Sequence, residues 1–140
     1  MKNEKLALTL SLAIAGAVIT CTAVQARPYP DQVGVCYAFE GDNQARLEPC
    51  VVSSGYGAGA HYAILNWSAG TKTNIVMVNA CTDGNYDTSG YCRYTVSDRD
   101  AEVYQRDVFL GKTTFDDPDN LLCYRVISTT SSFCYRFNES

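Results

Sequence analysis

The sequence predicts an α+β domain that is mainly antiparallel β: a single small disulfide-stapled unit of hairpins with at most one helix. Three observations carry that prediction. Six of the seven cysteines lie beyond residue 26, at Cys36, Cys50, Cys81, Cys92, Cys123 and Cys134, and short gaps alternate with long ones. The segments around the first and last pairs alternate apolar and polar residues with the period of a strand, with turn residues between them. A single stretch, residues 97–110, carries helical spacing.

In chain order, Lys2 and Lys5 precede an uncharged apolar run over residues 6–19, and Val24-Gln25-Ala26 offers small residues at the −3 and −1 positions of a cleavage site. This reads as a secretory signal over residues 1–26, leaving a domain over residues 27–140. The apolar run falls short of the roughly 20 residues of a membrane-spanning helix. Cys21 follows Val18-Ile19-Thr20 and lacks the small residue that a lipid-anchoring motif places directly before its cysteine. A secreted or periplasmic location follows, with no membrane insertion after cleavage. In that compartment six thiols form bridges, and the spacing predicts Cys36–Cys50, Cys81–Cys92 and Cys123–Cys134, one of 15 possible pairings.

If Cys36 faces Cys50, then Val35 faces Val51 and Phe39 faces Leu47 across a turn at residues 41–44. The apolar residues then form a core face and the cysteines the opposite one. Residues 55–59 read as a flexible loop or a bulged strand start. Residues 60–67 and 74–78 form a second hairpin around Ser68-Ala69-Gly70-Thr71. The Cys81–Cys92 segment, with Asp83-Gly84-Asn85 and Ser89-Gly90, is a turn-rich loop. In residues 97–110, Ser97 can cap a helix, Ala101, Tyr104 and Val108 share a helical face, and Gly111 stops the run. The competing pattern there is a strand, because Tyr104, Arg106, Val108 and Leu110 also alternate; the helix is the expectation taken forward. If Cys123 faces Cys134, then Leu122, Tyr124 and Val126 share a core face with Phe133, Tyr135 and Phe137, and the bridge lies on a wet face with Arg125 and Arg136.

The chemistry offered by these residues is sparse. Beyond residue 26 there are nine basic and fourteen acidic residues, a balance that argues against nucleic acid as a partner. With one histidine and no CxxC, a zinc site is not expected. Asp83, Asn85 and Asp87 have the spacing of a calcium loop, but Thr88 and Tyr94 stand where such a loop needs Gly and Glu. The cluster at residues 116–120 reads as a solvated turn. The glycines at 55, 57 and 59 lack the lysine and hydroxyl of a phosphate loop. No metal and no cofactor is expected.

What remains is aromatic: ten tyrosines, five phenylalanines and Trp67. Loop aromatics on a rigid frame suit recognition. The sequence therefore predicts a non-catalytic binding or interaction protein for a protein or glycan partner, with Tyr56, His61 and Trp67 as candidate binding residues. The rival is a ribonuclease-like hydrolase built on His61, with Glu48 or Glu102 and an arginine. A protease inhibitor presenting the loop between Cys81 and Cys92 is the third reading.

Overall fold

The computed structural model describes residues 26–137. The signal expectation lies outside the described residues except for Ala26. Ten strands follow in order: β1 (Arg27–Pro28), β2 (Gln32–Glu40), β3 (Asn43–Gly57), β4 (Ala60–Trp67), β5 (Lys72–Val78), β6 (Arg93–Val96), β7 (Arg99–Arg106), β8 (Lys112–Thr113), β9 (Leu121–Val126) and β10 (Ser131–Phe137). Eight of them, all but the two-residue β1 and β8, make a closed antiparallel barrel. Each pairs with the next in the chain, and β10 returns to pair with β2. Closure leaves no free edge in the ring.

The α+β expectation is overturned: the described residues contain no helix. The expected helix is β7, which pairs with β6 through Ala101↔Tyr94 and with β9 through Ala101↔Val126 and Tyr104↔Cys123. Ser97 and Asp98 have positive φ values of 48° and 64°. They form the two-residue turn whose handedness matches a twisted hairpin, so Ser97 is a turn residue and not a cap. Ala101 and Val103 face inward at period two. Both neighbouring strands supply backbone partners to the segment, and that pairing outweighs its helical spacing.

Inward positions from all eight strands build the main core. Cys36, Cys50, Val52, Ala63, Leu65, Trp67, Ile75, Val96, Ala101, Tyr124 and Val126 are buried there. A second buried cluster lies on the outer wall, with Tyr37, Phe39, Leu121, Cys123 and Cys134, and with Val35, Tyr104 and Leu110 packed against it. It is roofed by Arg106, 2 % exposed. The guanidinium lies 4.0 Å from the centre of the Phe39 ring and donates to the Leu110 carbonyl, the Gly41 carbonyl and the Tyr104 hydroxyl. The tight turn after β7 is tied down by Asp107, whose carboxylate accepts the N–H groups of Phe109 and Gly111.

The three expected bridges are present. Each closes a short loop and stabilises the fold by about 3 kcal/mol on a chain-entropy view. The β9–β10 register is the expected one, Cys123↔Cys134 with Leu122↔Tyr135, and Tyr124, Val126, Phe133 and Tyr135 pack into the barrel core. The face carrying that bridge is not wet, because the outer cluster covers both cysteines. The first hairpin departs further. Gly34 pairs with Cys50 and Cys36 with Glu48, so the bridge runs diagonally, two residues off the expected register. Its faces are also reversed: Cys36 and Cys50 point into the barrel, while Val51 and Leu47 are exposed. Period two separates two faces of a strand but does not say which is inside when both carry apolar residues.

Candidate functional site: an aromatic mouth at one end of the barrel

The two ends of the barrel differ. At one end the connections are short: residues 41–42, 68–71, 97–98 and 127–130. That end is plugged. Trp67 is 5 % exposed, its indole N–H donates to the Thr73 hydroxyl at 2.9 Å, and Phe133 meets it edge-on. Arg46 lies over the indole, 4.6 Å from the ring centre, and makes a two-pronged pair with Glu48. Glu48 also accepts the Ser68 N–H and hydroxyl. The Arg46 pairing and these bonds hold its carboxyl below the ordinary carboxylate range.

At the other end the β5–β6 connection spans residues 79–92 and the β7–β9 connection residues 107–120. Between them the barrel opens into a cavity of about 540 Å³. Its walls come mainly from inward positions near the ends of strands: Ser54 on β3, His61 and Ala63 on β4, Met77 on β5, Tyr94 on β6, Val103 on β7, Leu122 and Tyr124 on β9, Tyr135 and Phe137 on β10, with Gly55 and Tyr62 bordering it from the outward face. Tyr29 and Pro30 close the lip, held by the bond from the Tyr29 N–H to the Ser54 carbonyl.

Seven rings follow one another here, and the six from His61 to Phe137 line the mouth. Tyr56 and His61, opposite each other on β3 and β4, have ring centres 4.7 Å apart. His61 meets Tyr91 at 5.8 Å, Tyr91 meets Tyr94 at 5.8 Å, and Tyr94 meets Tyr124 at 5.9 Å. Tyr124 stacks on Tyr135 at 6.4 Å and Tyr135 contacts Phe137 at 5.5 Å. The Tyr124 hydroxyl contacts the Met77 sulfur at 3.4 Å. Burial pushes the Tyr124 and Tyr135 phenols up. It does the same to Tyr91, helped by the charge of Asp87, and to Tyr94, helped by a hydrogen bond to Asp87.

Asp87 fastens the β5–β6 loop to this wall. One carboxylate oxygen accepts the N–H groups of Ser89 and Tyr91 at 2.9 and 3.0 Å, and the other accepts the Tyr94 hydroxyl. Burial pushes the carboxyl up, but these bonds outweigh it and hold it below the ordinary range. Asp87 is thus committed to bracing the loop. Tyr86 adds a second brace, its hydroxyl donating to the Cys81 carbonyl at 2.8 Å, and the Cys81–Cys92 bridge closes the loop's base.

No family model, curated protein or solved structure matches this chain.

Of the three candidate binding residues, the structure places His61 in the lining of the mouth with Tyr56 packed against it, and Trp67 in the plug at the other end. The two carboxylates weighed as partners for His61 are engaged elsewhere: Glu48 with Arg46 and Ser68 in the plug, and Glu102 with Arg125 on the outer wall. Tyr91, Tyr94, Tyr124 and Tyr135 were missed as site residues. Period two had already put Tyr124 and Tyr135 on one inward face. Only closure of the barrel shows that this face opens to a mouth at one end.

Proposed function

We propose that the protein is an exported, non-catalytic binding protein that takes a compact small molecule with apolar faces into the mouth of its barrel. The observation that carries this reading is the run of six rings, from His61 to Phe137, that line a one-ended cavity of about 540 Å³. Eight strands leave an interior that is either filled by side chains or holds one small ligand. Here the plugged half does the first and the open half is free for the second. The volume lies within the range of about 300–1,000 Å³ common for small-molecule sites, and a mainly apolar lining with few polar groups is their usual composition. A closed cup suits a compact molecule better than a glycan chain, which needs a groove open at both ends. The lining contains no lysine or arginine, which disfavours an anion.

Three disulfides indicate an oxidising compartment. With the signal-like segment they support export to the periplasm or the medium. The outer wall carries the ion pairs Arg93–Asp100 and Arg125–Glu102 around an apolar interior. That is the reverse of a barrel that sits in lipid.

The test uses N-phenyl-1-naphthylamine, a neutral fluorescent probe, on the oxidised protein. Binding should raise its emission saturably. Leu122→Arg, which sets a charge in the mouth at a half-exposed position, should abolish binding. Ile127→Arg, on a turn at the plugged end, should leave it unchanged. Equal binding by both variants, or no saturable binding by the native protein, would overturn the proposal.

A further inference from the structure

We propose that the mouth selects an organic cation, a quaternary or alkylated ammonium group, over a neutral molecule of the same shape. The inference rests on the small-molecule reading of the mouth. It is carried by three features of the wall formed by His61, Tyr91, Tyr94 and Tyr124.

The first is the inclination of the rings. Successive planes meet at 83°, 62° and 49°, with centres 5.8–5.9 Å apart. Rings set at such angles make a curved wall. A flat polycycle needs parallel faces, whereas a near-spherical group such as trimethylammonium fits among inclined ones, as in aromatic cages for alkylated ammonium.

The second is that these rings carry no cation of the protein's own. Among the described residues the cations over rings are Arg46 on Trp67, Arg106 on Phe39 and Tyr104, and Lys112 on Tyr104, all away from this wall. The attraction of these π-faces for positive charge is therefore unspent.

The third is the anion behind the wall. The Asp87 carboxylate accepts the Tyr94 hydroxyl, which polarises the O–H bond toward its oxygen and makes the ring richer in electrons. It also places a negative charge at the hydroxyl end of that ring, fixed by the N–H groups of Ser89 and Tyr91. The hydrogen bonds that depress its pKa keep it ionised at neutral pH. The excess of acidic residues over the whole chain adds a long-range attraction of the same sign.

The experiment is isothermal titration of the oxidised protein with choline and with 3,3-dimethyl-1-butanol, its neutral isostere. Choline should bind on the order of tenfold more tightly. Asp87→Asn keeps the acceptor oxygen for the loop's N–H groups and removes the charge. Tyr94→Phe keeps the ring and removes its link to the carboxylate. Both should bring the preference down to about threefold or less, with little change for the isostere. Melting temperatures and Trp67 emission, read for each variant, show that the fold is intact. Equal affinity for the two compounds overturns the cation inference and leaves the mouth as an apolar site. Failure of both while N-phenyl-1-naphthylamine still binds overturns it in the same way. Failure of all three overturns the small-molecule reading itself, and the inference with it.

Discussion

Replacing Arg106 with alanine should be among the most damaging single changes outside the barrel core. The guanidinium is 2 % exposed and, besides a long contact with Asp42, makes three hydrogen bonds, to the Leu110 carbonyl at 2.7 Å, the Gly41 carbonyl at 3.0 Å and the Tyr104 hydroxyl at 3.1 Å. A hydrogen bond with a charged partner contributes about 1.5–3 kcal/mol, and stacking on an aromatic ring about 0.5–2 kcal/mol. The full sum is not expected, because Gly41 and Leu110 lie near the surface and water can reach their carbonyls once the side chain is gone. The Asp42 carboxylate, 3.4 Å away and 75 % exposed, also pairs with Lys112, so its share is small. The expected loss is about 3–5 kcal/mol, in line with breaking a buried charged network. For a domain of this size that lowers the melting temperature by roughly 12–20 °C. Arg106→Lys restores the charge but cannot span three acceptors, and should recover about half the loss. The assay is urea unfolding of the disulfide-intact proteins, where the midpoint should move and the slope should not. A loss within about 1 kcal/mol for Arg106→Ala, or full recovery by lysine, would refute the view that this side chain clasps the β7–β8 turn onto the outer wall.

Other outcomes follow from burial and titration. The phenols of Tyr91, Tyr94, Tyr124 and Tyr135 are raised above their ordinary value, so the folded state favours their neutral forms. That contribution is complete below the ordinary phenol value of about 10 and is lost as pH rises beyond it. Absorbance near the phenolate band should show four of the ten tyrosines ionising only together with alkaline unfolding, and a single smooth titration of all ten would contradict this. Under mild reduction Cys81 and Cys92, which are half-buried, should alkylate before Cys36, Cys50, Cys123 and Cys134, which are buried; mass spectrometry of partly labelled protein reads the order, and early labelling of Cys123 would count against it. In Gly34→Ala the new methyl would lie 2.5 Å from the Arg136 carbonyl oxygen, a backbone atom that cannot swing away, so a cost of about 1–3 kcal/mol is expected in thermal unfolding, and a neutral substitution would show that the β2–β10 seam has slack.

Local chemistry determined much of this molecule. Oxidised cysteines at short separations found their partners because a short loop restricts where a thiol can reach. The β4–β5 hairpin was legible from its β-forming residues on either side of Ser68-Ala69-Gly70-Thr71, and the Leu122–Phe137 face from the alternation of its apolar inward positions. Tyr56 stood out as an aromatic in a glycine-rich stretch and His61 as the single histidine, and the structure sets them across one hairpin with His61 in the lining of the mouth. Tertiary structure decided the rest. Residues 99–106 satisfy both a helical and a strand period, and only the open edges of β6 and β9 settle which one wins. Strands β2 and β3 carry apolar residues on both faces, so the inside was fixed by closure of the ring and by Arg106 roofing the outer one. Trp67 looked like a surface anchor until its strand was placed with that end in the plug. The mouth itself was beyond the reach of a linear reading. Its wall joins residues 61, 91, 94, 124 and 135, and nothing in their spacing shows that eight strands bring them to a single rim.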